Sequence, residues 1–302
     1  SGSLESNEKY KEERRMNFPI TNASFNLTQN CNLRCSYCFT NAHPNKRMTI
    51  EIAKKGVDFL IKNAKEADLN TLNGKQRKID VSFWGGEPLL EWSLLQDIVY
   101  YAEEQGPKNS VAVSFGGTTN ATLLTPDKFD FLDKHKIFFM VSFDGTEESH
   151  NYYRKMTNGN GSHNATEKNF KEALKKWSFY RARISPFPER IDHFYEDCKH
   201  IFDLGCNHLM FSPVYENNFT EDKWVIWEEQ CKKIVDYIAE LKSKGRSVVI
   251  EHFKSYTGKD TSRWPCGAGR FYVGIDVDGA IYPCHRFNKF NDERPWQEKE
   301  VC

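Results

Sequence analysis

The sequence predicts an α/β protein: a partial (β/α)6, TIM-like barrel followed by a small C-terminal domain. Three observations carry that expectation. Six apolar runs rich in β-formers alternate with six longer runs of helical period, the pattern of βαβ units around a parallel sheet. Short polar or glycine-rich motifs follow four of the first strands directly. From about residue 245 the alternation stops, and Gly, Pro and Cys become dense. Six units suit an open barrel better than the closed eight-unit form.

The expected strands are 23–27, 79–84, 111–115, 137–143, 182–185 and 208–212. The expected helices are 50–65, 90–104, 126–134, 166–180, 191–204 and 220–244, with Thr49, Thr125 and Asn164 or Ala165 as start signals. Residues 1–22 are expected to be a tag remnant, Ser1-Gly2-Ser3, and a charged solvated arm. The barrel then spans 23–244 and the second domain 245–302. Within that domain, 271–277, the pair Asp278-Gly279 and 280–282 form a predicted β-hairpin. In parallel barrels the loops after the strands share one face, where active sites form. Residues 31–38, Gly85-Gly86-Glu87-Pro88, Thr118-Thr119-Asn120 and Asp144-Gly145 are therefore expected to converge.

Composition narrows the function. The 22 Phe, 13 Tyr and 7 Trp supply a large core and exclude global disorder. Lys plus Arg and Asp plus Glu balance at 42 each, which argues against a general nucleic-acid binder. No apolar run reaches the roughly 18 residues of a membrane span. The polar N-terminus lacks a secretion signal and the nine cysteines are odd in number, so a disulfide framework is disfavoured. A reducing cytoplasm is expected, with thiols free to bind metal.

Three of those thiols form a C-x3-C-x2-C motif, Cys31-Asn32-Leu33-Arg34-Cys35-Ser36-Tyr37-Cys38. Structural zinc normally takes four ligands, and ferredoxin clusters take four thiolates. Three thiolates on a [4Fe–4S] cluster leave one iron open to a small chelating molecule. The motif, with Tyr37 before its last cysteine, resembles the signature of radical S-adenosylmethionine (SAM) enzymes. Phe83-Trp84-Gly85-Gly86-Glu87-Pro88 resembles their glycine-rich acidic motif. The resemblance implies that Cys31, Cys35 and Cys38 hold the cluster and that SAM chelates its fourth iron. It places Tyr37 near the adenine and Gly85, Gly86 and Glu87 near the methionyl amino group. The loop containing Asn120 is similar to the polar loop after strand three of peptide-modifying members. Ser142 and Arg154 are, by the same likeness, candidates for the carboxylate or ribose of SAM. Asp144 is the one candidate for a catalytic role, the alternative being a turn cap.

Near the other end, Cys266 precedes Gly279 by twelve intervening residues, and Cys284 follows after four more. This resembles the opening of the auxiliary iron–sulfur domain called SPASM, or its shortened form, twitch. Cys266, Cys284 and Cys302 are the expected ligands of one auxiliary [4Fe–4S] cluster, fewer cysteines than a full SPASM domain carries. Cys198, Cys206 and Cys231 lack a ligand pattern and are expected in the core. The likeness to sulfatase maturases and to thioether-, crosslink- or epimer-forming maturases implies an oxidoreductase. It would cleave SAM reductively to a 5′-deoxyadenosyl radical and abstract hydrogen from a peptide or protein. A low-potential donor of flavodoxin or ferredoxin type would reduce it. A small-molecule radical SAM dehydrogenase and a non-catalytic metal-binding module are the alternatives.

Overall fold

A computed structural model describes residues 19–40, 43–67, 76–176, 180–214, 219–251, 253 and 267–287. Its main element is a nine-stranded sheet. Seven parallel strands run β1 (Asn22–Thr28), β3 (Lys78–Gly85), β4 (Ala112–Thr119), β5 (Ile137–Ser142), β7 (Arg181–Ile184), β8 (His208–Phe211) and β9 (Val249–Ile250). The six predicted strands are present in the predicted order, and the short β9 extends the far edge. Helices α1 (Ile50–Glu66), α2 (Trp92–Lys108) and α3 (Pro126–Lys134) link the first four parallel strands. Further along come α4 (Glu147–Tyr153), α5 (His163–Lys176), α6 (Phe194–Asp203) and α7 (Glu221–Ser243).

Strand alternation separates the two faces of the sheet. In β3, Ile79, Val81 and Phe83 are buried and join the core with Val57, Leu60, Ile98 and Val99 of α1 and α2. Each such large side chain contributes roughly 1.5–3 kcal/mol on burial. Ser82 and Trp84, on the opposite face, are only half-buried and turn toward the inside of the open barrel. Thr49 caps α1 by accepting from the Ile52 amide at 3.3 Å, as its sequence position predicts.

Several elements differ from expectation. Strand β4 runs on to Thr119 rather than ending at 115, because ladders on both sides carry Gly116 and Gly117, which are poor strand formers. Helix α5 starts at His163, not 166. The Asn151 side-chain oxygen accepts its first amide at 2.9 Å, a tertiary start signal invisible in local sequence. The helix expected over 90–104 starts with the 3-10 turn Pro88–Glu91 and continues to Lys108. Helix α4 was not expected, nor the small antiparallel pair of β2 (Leu33–Cys35) with β6 (Arg154–Met156), which sets Cys35 opposite Arg154.

The expected hairpin forms from β10 (Tyr272–Ile275) and β11 (Ile281–Tyr282). The Asp276 amide donates to Ala280 and the Gly279 amide to Asp276, with Gly279 at φ +84°, which favours glycine. Strand β10 also pairs in parallel with β1, from Asn22↔Tyr272 to Phe25↔Ile275, so the hairpin continues the barrel sheet. Among the described residues, no helix is long and apolar enough to cross a membrane.

Candidate active site

The strand ends converge as barrel topology requires. One recess at the C-terminal mouth is lined by Cys31, Cys35 and Cys38 from the loop after β1, and by Gly85, Gly86 and Glu87 after β3. Asn120 after β4, Ser142 of β5, and Tyr37 and Arg154 complete the expected set. The Leu33 amide faces Cys31 Sγ at 3.4 Å, and Cys38 Sγ lies 2.9 Å from Thr40 Oγ1. Burial, with the nearby Glu87 charge, pushes the Cys31 thiol up to about 12. Burial pushes Cys35 to about 11 despite the opposing pull of Arg154. Thiols this reluctant to ionise stand as thiolates only beside cations, and coordination to metal ions supplies them. Asn120 Nδ2 lies 3.9 Å from Cys31 Sγ, and Arg154 Nη1 lies 3.8 Å from Cys35 Sγ. The donor set thus fits a three-thiolate iron–sulfur cluster with polar hydrogens aimed at its sulfurs.

The two glycines serve the protein's own backbone first. The Gly86 amide donates to Thr28 O at 2.8 Å and the Glu87 amide to Asn30 O at 3.0 Å. A Cβ on Gly86 would lie 2.1 Å from Asn30 O and 3.0 Å from Cys31 Cβ. Gly85 sits at φ +151°, where a Cβ would meet Thr28 O at 2.4 Å. Gly86→Ala therefore cannot keep the stitch between the β3 and β1 loops. We expect a loss of roughly 3 kcal/mol, from urea midpoints, together with lower iron content because Cys31 shifts. Unchanged stability and iron would refute this account of the motif.

Glu87 is buried, and both its oxygens are engaged. Oε1 accepts from Thr119 Oγ1 at 2.7 Å and the Leu89 amide at 3.1 Å, and Oε2 accepts from the Asn120 amide at 2.8 Å. Burial still raises its carboxyl to about 7. The side chain ties the β3 and β4 loops together and so sets Asn120, whose Nδ2 also donates to Asn32 Oδ1 at 2.8 Å.

Tyr37, Asp144 and Arg154 meet one another. Tyr37 donates its hydroxyl hydrogen to Asp144 Oδ2, which also accepts from Arg154 Nε at 2.8 Å. The guanidinium lies over the Tyr37 ring, 5.2 Å from its centroid. Burial holds the Tyr37 phenol well above its ordinary value. Asp144 Oδ1 accepts from the Ser185 amide at 3.0 Å, and its own amide donates to His150 Nδ1 at 3.3 Å. Asp144 thus anchors the ring and guanidinium while one Arg154 nitrogen still reaches Cys35.

The next turn is anchored by Asp197 of α6, whose Oδ1 accepts from Thr146 N at 2.9 Å and Thr146 Oγ1 at 2.6 Å. Burial raises the Asp197 carboxyl to about 6. A raised folded-state value means that the proton stabilises the fold at low pH. That contribution is lost as pH rises through about 6. Asp197→Asn should remove an acid-favouring difference of about 2 kcal/mol between the stabilities read from urea midpoints at pH 4.5 and pH 7.5. An unchanged difference would show that Asp197 is ionised throughout.

Sequence reasoning missed Arg183, Ser185, Ser212 and Arg286, which also line the recess. The signal was present in β7, where buried Ala182 and Ile184 flank Arg183, placing the Arg on the inner face. Arg183 Nε is buried without a hydrogen-bond partner. Trp84 and Phe39 stack at 5.5 Å on one wall, with His285 4.4 Å from the Trp84 ring. Burial and the Arg183 and Arg286 charges hold the His285 imidazole down at about 3, hence neutral. Cys284 Sγ lies 3.8 Å from His285 Nδ1 and outside the lining of the recess. Cys266 and Cys302 lie outside the described residues. Cys198 and Cys206 are buried in the core and Cys231 packs against it, as expected.

A parallel α/β barrel that gathers three half-buried thiols and a polar strand-end wall at one mouth has the donor set for a barrel built around an open-site iron–sulfur cluster. The sequence profile of the Radical SAM superfamily matches residues 25–184, over half of the chain, and the chain belongs to that superfamily. Its cofactors are a [4Fe–4S] cluster and SAM. The chain is 28% identical to the radical SAM cyclopropyl synthase TigE of Paramaledivibacter caminithermalis over 287 residues, 85% of this chain and 56% of TigE. It is 29% identical to a cysteine-type anaerobic sulfatase-maturating enzyme of Clostridium novyi over 273 residues, covering 85% of this chain and 71% of that protein. The chain thus spans about half the length of the first relative. A structure of anSMEcpe with bound AdoMet and Cp18Cys peptide shares the fold, with TM-score 0.72 and 22% identity over 88% of this chain and 74% of that one.

Proposed function

We propose that this chain is a radical SAM enzyme that modifies a peptide or protein. Cys31, Cys35 and Cys38 hold the [4Fe–4S] cluster in this reading, and the carrying observation is their meeting in one recess with Asn120 and Arg154 on their sulfurs. The bound group supplies one-electron reductive cleavage of SAM and hydrogen abstraction from an unactivated C–H bond. Hydrogens aimed at the thiolates raise the reduction potential. Arg183, whose Nε has no hydrogen-bond partner, and Ser142 offer the SAM carboxylate its donors. Glu87 acts through the loops it ties, and Tyr37 is held in the wall of the recess by Asp144. The Phe39–Trp84 stack walls the mouth and excludes water. A peptide substrate is supported by the maturases and peptide-bound neighbour that the chain resembles. Cys284, with Cys266 and Cys302, is the proposed auxiliary cluster set.

The test is mass spectrometry of the small peptides encoded beside the gene, after incubation with reconstituted protein, SAM and dithionite. A mass change dependent on both SAM and reductant is expected, with 5′-deoxyadenosine formed in step. Deoxyadenosine release that tracks a small metabolite while every peptide stays unchanged would replace the peptide reading with the dehydrogenase one.

A further inference from the structure

Away from the recess, helices α5 and α6 bring together His163, Glu167 and His200. Their ligand atoms all lie within 4.8 Å of one another. His163 and Glu167 are one helical turn apart, so both project from one face of α5. His200 arrives from α6. His163 Nε2 lies 3.2 Å from Glu167 Oε2, and His200 Nε2 lies 2.8 Å from the same oxygen. His163 is 5% exposed, and its Nε2 is buried with no hydrogen-bond partner, aimed at that carboxylate. We propose that these three side chains form a divalent-metal site, of the kind that takes Zn2+, which staples α5 to α6.

The geometry suits a metal better than a proton. An imidazole nitrogen facing an anionic oxygen without a hydrogen bond leaves a lone pair against negative charge. One cation between the three atoms satisfies all of them. A tetrahedral ion with bonds of about 2.1 Å sets its ligands about 3.4 Å apart; the His163–Glu167 separation is close to that, and the His200–Glu167 contact, a hydrogen bond without the ion, would open by about half an ångström. Two imidazoles and one carboxylate, with a position left open, form a borderline donor set preferred by zinc-like ions over magnesium or calcium. Lys171 Nζ opposes the cation but binds the other oxygen, Oε1, at 2.5 Å, and so holds the carboxylate with Oε2 toward the histidines. Glu167 also lines a surface groove beside Asp203 and Gly205, which gives the ion a route from solvent.

The staple has a consequence for the barrel mouth. Thr166 Oγ1 of α5 donates to Asn120 O at 3.0 Å, and Asn169 Nδ2 donates to Ala121 O at 2.8 Å. Phe143, next to Asp144, packs its ring 5.3 Å from His163 and 6.1 Å from His200. An ion fixing these two helices thereby steadies the loop that presents Asn120.

The test uses the full chain with its iron–sulfur clusters reconstituted, so that cluster thiols are not free to take zinc. After passage over chelating resin, wild type, His200→Ala and Glu167→Gln are dialysed against micromolar ZnCl2. Zinc and iron are counted by mass spectrometry, and the zinc shell is read by X-ray absorption. Wild type should hold one more zinc per chain than either variant, with only nitrogen or oxygen scatterers near 2.0–2.1 Å. Affinity should fall more than tenfold in both variants at unchanged iron content. Zinc should raise the unfolding temperature of wild type alone. Equal zinc in all three proteins, no zinc retained by wild type, or an extra zinc with sulfur near 2.3 Å would each overturn the proposal.

Discussion

Replacing Cys31, Cys35 and Cys38 together by Ala should abolish SAM cleavage, bringing 5′-deoxyadenosine formation to the level of buffer alone. No residual path is expected, because in the proposed reading the electron reaches the sulfonium from a cluster that these thiolates would hold. Iron should fall by about four per chain, one cluster's worth. The protein should still fold, since the three side chains line a recess and lie outside the apolar core. Removing thiols that burial already penalises when ionised costs the fold little. A triple variant that keeps its iron, or that loses it yet still cleaves SAM, would place the radical chemistry elsewhere.

Asp144→Ala should be the most damaging single change to stability at the mouth. It strips the buried Arg154 guanidinium of its carboxylate and leaves the Tyr37 hydroxyl without its acceptor. Breaking a buried pair from one side costs about 3–5 kcal/mol, because the remaining charge stays desolvated. At about 2–4 °C per kcal/mol for a chain of this order, the unfolding temperature should drop by roughly 10 °C. Arg154→Met in the same background removes the stranded charge and should recover part of the loss. A deficit below about 1 kcal/mol in the single variant, or no recovery in the double, would mean that water solvates Arg154 in solution.

The order of the strands and the site's location were legible because both rest on local periodicity and on the chirality of βαβ connections. The cysteine loop was legible because three like ligands at short spacing have few other uses. What the residues of that site do was less legible. Glu87 and Gly86 carry motif identity in the sequence, yet in the fold they spend their polar groups and their missing side chain on neighbouring loops. Arg154 looks like a free cation until Asp144, ten residues earlier, is seen beside it. Arg183 drew no attention because a strand-borne arginine reads as surface until the inner face of a barrel is defined. The metal triad was hidden because His200 lies far along the chain from His163, and nothing local pairs them.

The pairing of β1 with β10 bears on how the chain is made. Asn26 Nδ2 donates to Asp276 Oδ1 at 2.5 Å, a contact spanning 250 positions. Strand β1 therefore leaves the ribosome with one edge whose partner emerges some 250 residues later. At 5–20 residues per second that interval is roughly 12–50 s. During it, Phe25 and Leu27 sit on a strand with an open edge, a template for pairing with another nascent chain. Production yield should thus depend on holdase chaperones during synthesis. A truncation before Tyr272 should aggregate even though the cysteine loop and the seven parallel strands from β1 to β9 are already complete.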